Sequence, residues 1–364
     1  MSKGATYRIT ALLFVAAALF FAATSATAQE NHTHHWQHSK IIDYTSEKLH
    51  KAEDIIDKRL DTKDSLYVTP NIYNMTILTQ YSYNYEYYKF STPGGKQGVR
   101  ISPENNNKIG LYAGWRWIFA GWSFDLTKNS AKKDFNFSFY TAKLGIDLFF
   151  RERYEGFEIT SAHGFYDKQG EEIKRFNHAF DGFKTKQKGV NVYYIFNNKR
   201  FSYPAAYSQT TNQRISAGSF ILGLSYNEQS FDFNYSRLDE KLKESLEPEL
   251  MFNKVKYKDY SINFGYSYNW VFAKNFLANV SFTPGMGYKN SSLRLRDSKE
   301  FISNVNFDFV TRAAVVYNNQ EYYIGASLVS HTYSYHKKTL SVVNSFGVIN
   351  LYTGFNFWRK KNKR

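Results

Sequence analysis

The chain has 364 residues and no cysteine, which excludes a disulfide framework, a thiolate nucleophile, a cysteine metal centre and lipid attachment through cysteine. It carries a formal net charge of +15 and is 19% aromatic, with 30 Tyr and 32 Phe. Beyond the N-terminal leader no run of about 18 apolar residues occurs, which excludes a helical membrane protein past that point, and no nucleic-acid-binding motif accompanies the charge, so no nucleic acid is expected as a partner. The positive excess reads either as solvated lysine in loops or as attraction to anionic partners, here outer-membrane lipids and lipopolysaccharide.

In chain order, residues 1–8 carry Lys3 and Arg8, residues 9–22 form an apolar stretch, and Ala26-Thr27-Ala28 offers small residues for cleavage before Gln29. This layout predicts a secretory signal peptide over residues 1–28. Residues 29–66 differ from the rest. His32, His34, His35 and His38 surround Trp36, and Ile42, Leu49 and Ile56 then recur at heptad spacing beside Ile41, Ile55 and Leu60. That spacing predicts an amphipathic helix over 31–60, lying in the periplasm, plugging a lumen or packing on a partner. The histidines lack the carboxylate company of a metal centre and read as a polar tail, so neither metal nor cofactor is expected.

From Ile72 onward the pattern has period two. Tyr260, Ile262, Phe264, Tyr266, Tyr268 and Trp270 alternate with Ser261, Asn263, Gly265, Ser267 and Asn269. Phe276, Ala278, Val280, Phe282, Pro284 and Met286 repeat the alternation, as do Tyr73, Met75, Ile77, Tyr81, Tyr83, Tyr85 and Tyr87. One face is large and apolar while the other is small and polar, as lipid and a lumen would require. The segments run to roughly ten to sixteen residues, longer than the usual strands of a soluble sandwich, about five or six. Short connections are read at 117–119, 151–154, 197–199, 227–229, 273–275 and 318–320. Longer ones are read at 90–106, 127–134, 164–188, 237–254 and 289–303, with two shorter ones on that same side near Thr210-Thr211 and over 337–342. This predicts an all-β, transmembrane, antiparallel up-and-down β-barrel over 67–358 in the cell outer membrane, with both termini periplasmic. It has about fourteen strands, or about twelve without the pair at 154–162 and 230–236. The apolar face switches parity near Phe139-Tyr140, which reads as a β-bulge. The last strand ends in Phe355, Phe357 and Trp358, a terminal aromatic pattern similar to the one barrel-assembly machinery reads on its clients; a basic tail, 359–364, follows.

Three blocks carry a family resemblance: Tyr67-Val68-Thr69-Pro70-Asn71-Ile72-Tyr73-Asn74, Phe201-Ser202-Tyr203-Pro204-Ala205-Ala206-Tyr207-Ser208-Gln209 and Ser216-Ala217-Gly218-Ser219-Phe220. Over about residues 64–358 the chain resembles the domain-of-unknown-function 4421 (DUF4421) family of Bacteroidota. The resemblance implies an outer-membrane barrel and no particular activity, so no site residue follows from it.

Charged residues at lumen parity are Glu86, Arg116, Asp125, Lys143, Asp147, Asp308 and Arg312. They read either as a binding surface for a small polar solute or as mutually neutralising filler that fixes the strands. Leu238, Leu242 and Leu246 stand at helical spacing before Pro248 and suit packing on the barrel rim or contact with a partner. An outer-membrane lipid hydrolase would need a Ser, His and polar orienter together. Ser330 and His331 are adjacent on a strand and face opposite ways, and Ser327 shares the face of His331 two pairs along, so no enzyme is expected. The leading expectation is a barrel that passes or binds a small polar solute or glycan. The alternative is a closed structural or interaction barrel that binds a partner through extracellular loops or the N-terminal helix.

Overall fold

The computed structural model describes residues 63–360, apart from 104–105, 116–117, 127–131, 174–177, 296–298 and 337–339. The expected signal peptide, the helix over 31–60 and residues 361–364 lie outside the described residues. The chain divides into two units, Met1–Thr62 and Lys63–Arg364, and the fold described here is that of the second.

Alternating large apolar and small polar residues form strands along almost all of it. In order these are β1 (Val68–Pro70), β2 (Tyr73–Ser91), β3 (Gly98–Pro103), β4 (Asn106–Trp115), β5 (Ile118–Asp125), β6 (Lys132–Tyr140), β7 (Leu144–Arg153), β8 (Phe157–His163) and β9 (His178–Ala179). There follow β10 (Phe183–Ile195), helix α1 (Tyr203–Tyr207), β11 (Thr211–Gln213), β12 (Ala217–Phe233) and helix α2 (Glu240–Glu244). The last five are β13 (Phe252–Ala273), β14 (Phe276–Leu295), β15 (Lys299–Asn318), β16 (Tyr322–His336) and β17 (Ser341–Arg359).

The wall follows the order β5-β4-β2-β17-β16-β15-β14-β13-β12-β10-β7-β6, twelve strands with every pairing antiparallel. The sheet curls so that its edge strands, β5 and β6, are consecutive in the chain. Above Asn84 the strand β2 leaves β4 and pairs with β3 instead, and β3-β8-β9 branch from it, bringing the sheet to fifteen strands. The connections at 116–117, 141–143, 274–275 and 319–321 are short and lie at the end where β2 begins and β17 finishes. Those at 92–105, 154–182 and 234–251 are long and lie at the other end. This asymmetry makes the short-turn end periplasmic.

The outward side chains form the lipid belt. On β13 they are Tyr260, Ile262, Phe264, Tyr266, Tyr268, Trp270 and Phe272, all exposed. Twelve residues of rise span about 40 Å, or about 28 Å along the membrane normal at a tilt of roughly 45°, which matches the apolar band of an outer-membrane barrel, about 25 Å. The chain is a β-barrel of the outer membrane, and among the described residues no helix is long and apolar enough to cross a membrane.

Four sequence expectations are corrected. The parity switch near Phe139-Tyr140 is no bulge: β6 ends at Tyr140, and Thr141-Ala142-Lys143 turn the chain into β7, with the Leu144 amide donating to the Thr141 hydroxyl at 2.9 Å. The turn read at 151–154 is therefore ten residues too late; β7 continues to Arg153 on the extracellular side. The turn read at 227–229 is a strand interior, since β12 runs unbroken to Phe233. The stretch between the connections read at 197–199 and near Thr210-Thr211 is no wall strand but contains α1. The last two errors each change the direction of the chain by half a hairpin, and together they leave the orientation of everything downstream unchanged.

Candidate functional site

The inward face of the wall is polar because the alternation that turns Tyr260 and Ile262 to lipid turns Asp259, Ser261 and Asn263 to the lumen. In a wide barrel such residues would be hydrated. Here they meet across the lumen. The guanidinium Nη2 of Arg312 on β15 donates to Oδ2 of Asp147 on β7 at 2.7 Å, though five pairings separate those strands. The Asn344 amide on β17 donates to Gln229 Oε1 on β12 at 2.8 Å, and the Gln187 amide on β10 donates to Tyr88 Oη on β2 at 2.8 Å.

Beside these bridges lies a buried charge cluster. Lys289 Nζ sits 2.7 Å from Asp308 Oδ1 and 3.8 Å from Asp259 Oδ2, and donates to the Ser334 carbonyl at 2.6 Å. The Ser261 hydroxyl lies between the two carboxylates, 3.0 Å from Asp259 and 3.1 Å from Asp308. The ammonium also lies 5.5 Å and 5.7 Å from the ring centres of Tyr257 and Tyr333. His331 is stacked on Phe346 at 5.2 Å, with Phe149 at 6.2 Å. Several buried polar atoms have no protein partner: both side-chain polar atoms of Asn191 and of Asn227, Oδ1 of Asn344 and Nδ1 of His331.

The segment 196–216 packs inside the wall at its periplasmic end. Ser202 caps α1, accepting from the Ala205 amide at 3.3 Å, and Pro204 supplies a preset φ in the first turn. The segment then bonds to four strands of the wall. Tyr203 Oη meets Ser281 Oγ on β14 at 2.6 Å, and Tyr207 donates to Asn279 Oδ1 on the same strand at 2.7 Å. Gln209 donates to Tyr352 Oη on β17 at 3.2 Å and accepts from the Asn318 amide on β15 at 3.0 Å. Asn269 on β13 donates to the Ser202 carbonyl at 2.9 Å. Tyr203 also stacks on Tyr140 of β6 at 6.5 Å, and the Arg312 guanidinium lies 6.0 Å from its ring. The short β1–β11 pair ties the start of the fold to this segment, with Val68 opposite Gln213.

Different chemistry fills the extracellular end. Tyr88, Phe90, Val99, Ile101, Phe157, Phe183, Phe231, Phe233 and Phe252 pack with Leu238, Leu242, Leu246 and Leu250 into one buried cluster. Phe90 lies 5.1 Å from Phe252 and 5.8 Å from Phe233. The leucine stripe seen in the sequence thus packs on the rim. Gln97 holds the loops over it, donating to the Ser245 carbonyl at 2.7 Å and accepting from the Glu247 amide at 2.8 Å.

Of the residues picked out in the sequence, the fold brings Asp147, Asp308 and Arg312 into the lumen centre. Glu86 also lies inside and accepts from Tyr88 Oη. Asp125 stands near the extracellular rim, 3.9 Å from Lys108. Lys143 is not on a lumen-facing strand as expected; it lies in the β6–β7 turn, where its carbonyl accepts from the Ile195 amide. Arg116 is outside the described residues. The sequence reading missed Asp259, although it shares parity with Ser261, and Lys289, which fell in a stretch read as loop because β14 extends beyond the membrane to Leu295. It also missed the plug. The available signal was length: 21 residues, 196–216, join strands at the end where the other connections have two or three. Among the described residues no group of three or more His, Asp or Glu is placed to hold a metal.

The family described as domain of unknown function (DUF4421) matches residues 62–357. No curated protein matches the chain. Among solved structures, the outer membrane protease OmpT from Escherichia coli is 8% identical, with a TM-score of 0.37, covering 81% of this chain and 99% of its own. Ail, the attachment invasion locus protein of Yersinia pestis, is 9% identical, with a TM-score of 0.24 and coverages of 76% and 97%. The outer membrane protein OprG from Pseudomonas aeruginosa is 11% identical, with a TM-score of 0.23 and coverages of 79% and 98%.

Proposed function

This chain belongs to the DUF4421 family, and we propose that it works as a closed outer-membrane barrel, an interaction protein that presents its extracellular loops to a partner and conducts no steady ion flow. The observation that carries the reading is the 2.7 Å Arg312–Asp147 bond across the lumen. A pore needs a continuous aqueous path, whereas this bond joins opposing walls between a polar plug below and an aromatic cap above. The same charged residues serve either alternative, and the Arg312–Asp147 bond supports their role as filler that fixes strands.

A second reading, binding of a small polar solute inside the barrel, draws support from the unpartnered amides of Asn191 and Asn227. Buried amides without partners are costly, about 1–3 kcal/mol each, and a bound polar molecule or water would satisfy them.

Planar-bilayer recording of the refolded chain, with and without residues 31–60, tests the first reading. Folding is checked beforehand by heat-modifiable gel mobility. Silence from both forms is the expected result. Steady single-channel steps from the intact chain would refute the closed barrel, and steps after truncation alone would make 31–60 a second plug.

A further inference from the structure

The outer surface carries a feature that the closed lumen does not explain. Just above the lipid belt, the outward positions of two strands are lysines at every second residue: Lys184, Lys186 and Lys188 on β10, and Lys254, Lys256 and Lys258 on β13. The strand between them, β12, aligns the six into rungs. Lys188 faces Glu228, which faces Lys258; Lys186 faces Ser230, which faces Lys256; Lys184 faces Asp232, which faces Lys254. Directly below the first rung, Tyr226 and Tyr260 pair at 5.1 Å at the upper edge of the belt.

The ladder is incompletely neutralised from within. Lys186 pairs with Glu152 at 3.0 Å, Lys188 with Glu228 at 3.0 Å and Lys254 with Asp232 at 2.5 Å. Lys184, Lys256 and Lys258 are exposed and close no ion pair among the described residues. Six lysines against three carboxylates leave three positive charges on one narrow sector. Strand geometry sets the lysine Cα atoms about 7 Å apart along each strand and about 10 Å apart across β12, so long stems from both strands reach one anion. On the adjacent β14, the outward residues level with Tyr260 and Lys258 are Tyr288 and Asn290, both neutral.

We propose that the β10–β12–β13 ladder is a docking site for a phosphorylated lipid of the outer leaflet, with its acyl chains along the belt and its phosphates on Lys184, Lys256 and Lys258. Position and charge together select this occupant. The amines stand at head-group height on the loop side of the belt, and apolar strand surface continues beneath them through Leu224, Leu222 and Phe220. A soluble anion would use the charge but not that surface. The inference is independent of whether the lumen conducts.

The test uses the full chain folded in phosphatidylcholine nanodiscs and titrated with a bis-phosphorylated lipid A, its dephosphorylated counterpart and inorganic phosphate. Three forms are compared: the parent, the triple variant Lys184→Gln/Lys256→Gln/Lys258→Gln, and a turn-side control, Lys199→Gln/Lys274→Gln/Arg214→Gln. Retention of the phosphorylated lipid is expected to fall about tenfold or more in the ladder variant, since each basic residue near an anionic surface contributes substantially to attraction. It should stay within about twofold in the control, and Lys→Arg at the same three positions should restore it. Equal retention in all forms, equal binding of the dephosphorylated lipid, or displacement by millimolar inorganic phosphate would overturn the proposal. If the ladder variant does not fold, the parent decides: retention that ignores added salt rules the site out, and steep salt dependence supports it.

Discussion

The two ends of the lumen are filled by opposite means, and the contrast separates what a barrel's patterning encodes from what it does not. At the extracellular end, phenylalanines and leucines from strands and loops merge into one apolar cluster. Such a seal depends on buried area and tolerates changes of shape. At the periplasmic end, Tyr203, Tyr207, Gln209 and Asn269 hold the plug through individually aimed hydrogen bonds. A seal of that kind depends on particular residues, because each bond lost leaves a buried partner unmet.

The comparison can be broken at its centre first. Asp147→Ala leaves the Arg312 charge without its carboxylate between the two seals, and barrel stability in detergent should fall by about 3–5 kcal/mol. Urea refolding midpoints measure this, and the double change Asp147→Leu/Arg312→Met should recover most of the loss if the pair acts as filler. At the cap, Phe90→Ala should cost about 3–5 kcal/mol, at the lower end of that range if the neighbouring Phe233 and Phe252 rings close the gap. Limited proteolysis within 234–251 would report the loosening, and unchanged cleavage would argue that α2 holds without Phe90. At the plug, Gln209→Ala removes bonds to Tyr352 and Asn318 and should cost about 1–3 kcal/mol. Tyr203→Phe should cost least, about 0.5–1.5 kcal/mol. The native chain has no cysteine, so a single Ser281→Cys reports plug position cleanly: thiol labelling should be slow in the parent background and faster with Gln209→Ala. Equal rates would mean that Gln209 does not hold the plug in place.

The wall was legible in the sequence wherever lipid lay on one side. Lipid demands large apolar residues at every second position, as from Tyr260 to Trp270, and nothing blurs that demand. Legibility failed where both faces are polar. Asn227-Glu228-Gln229 looks like a turn because Asn227 and Gln229 face a polar lumen while Glu228 faces outward beside Lys188. The real turn at Thr141-Ala142-Lys143 carries no Gly, Pro or Asn and sits inside an aromatic run, so it looks like strand. The charge partners were half visible: parity gave Asp147 and Arg312 separately, but the pairing of strands five apart depends on barrel closure, which no local pattern contains. The plug block from Phe201 to Gln209 stood out by resemblance alone, since its aromatic residues fit a wall strand as well as a lumen helix.

The register that brings β2 against β17, with Met75 opposite Phe357, also sets how far apart in sequence the partners of the wall lie. The first wall strand pairs with the last, while β1 pairs with β11, in the middle of the chain. Pairings so distant in sequence form slowly. The wall and the plug thus each depend on a pairing between remote parts of the chain, and neither is completed by a local hairpin.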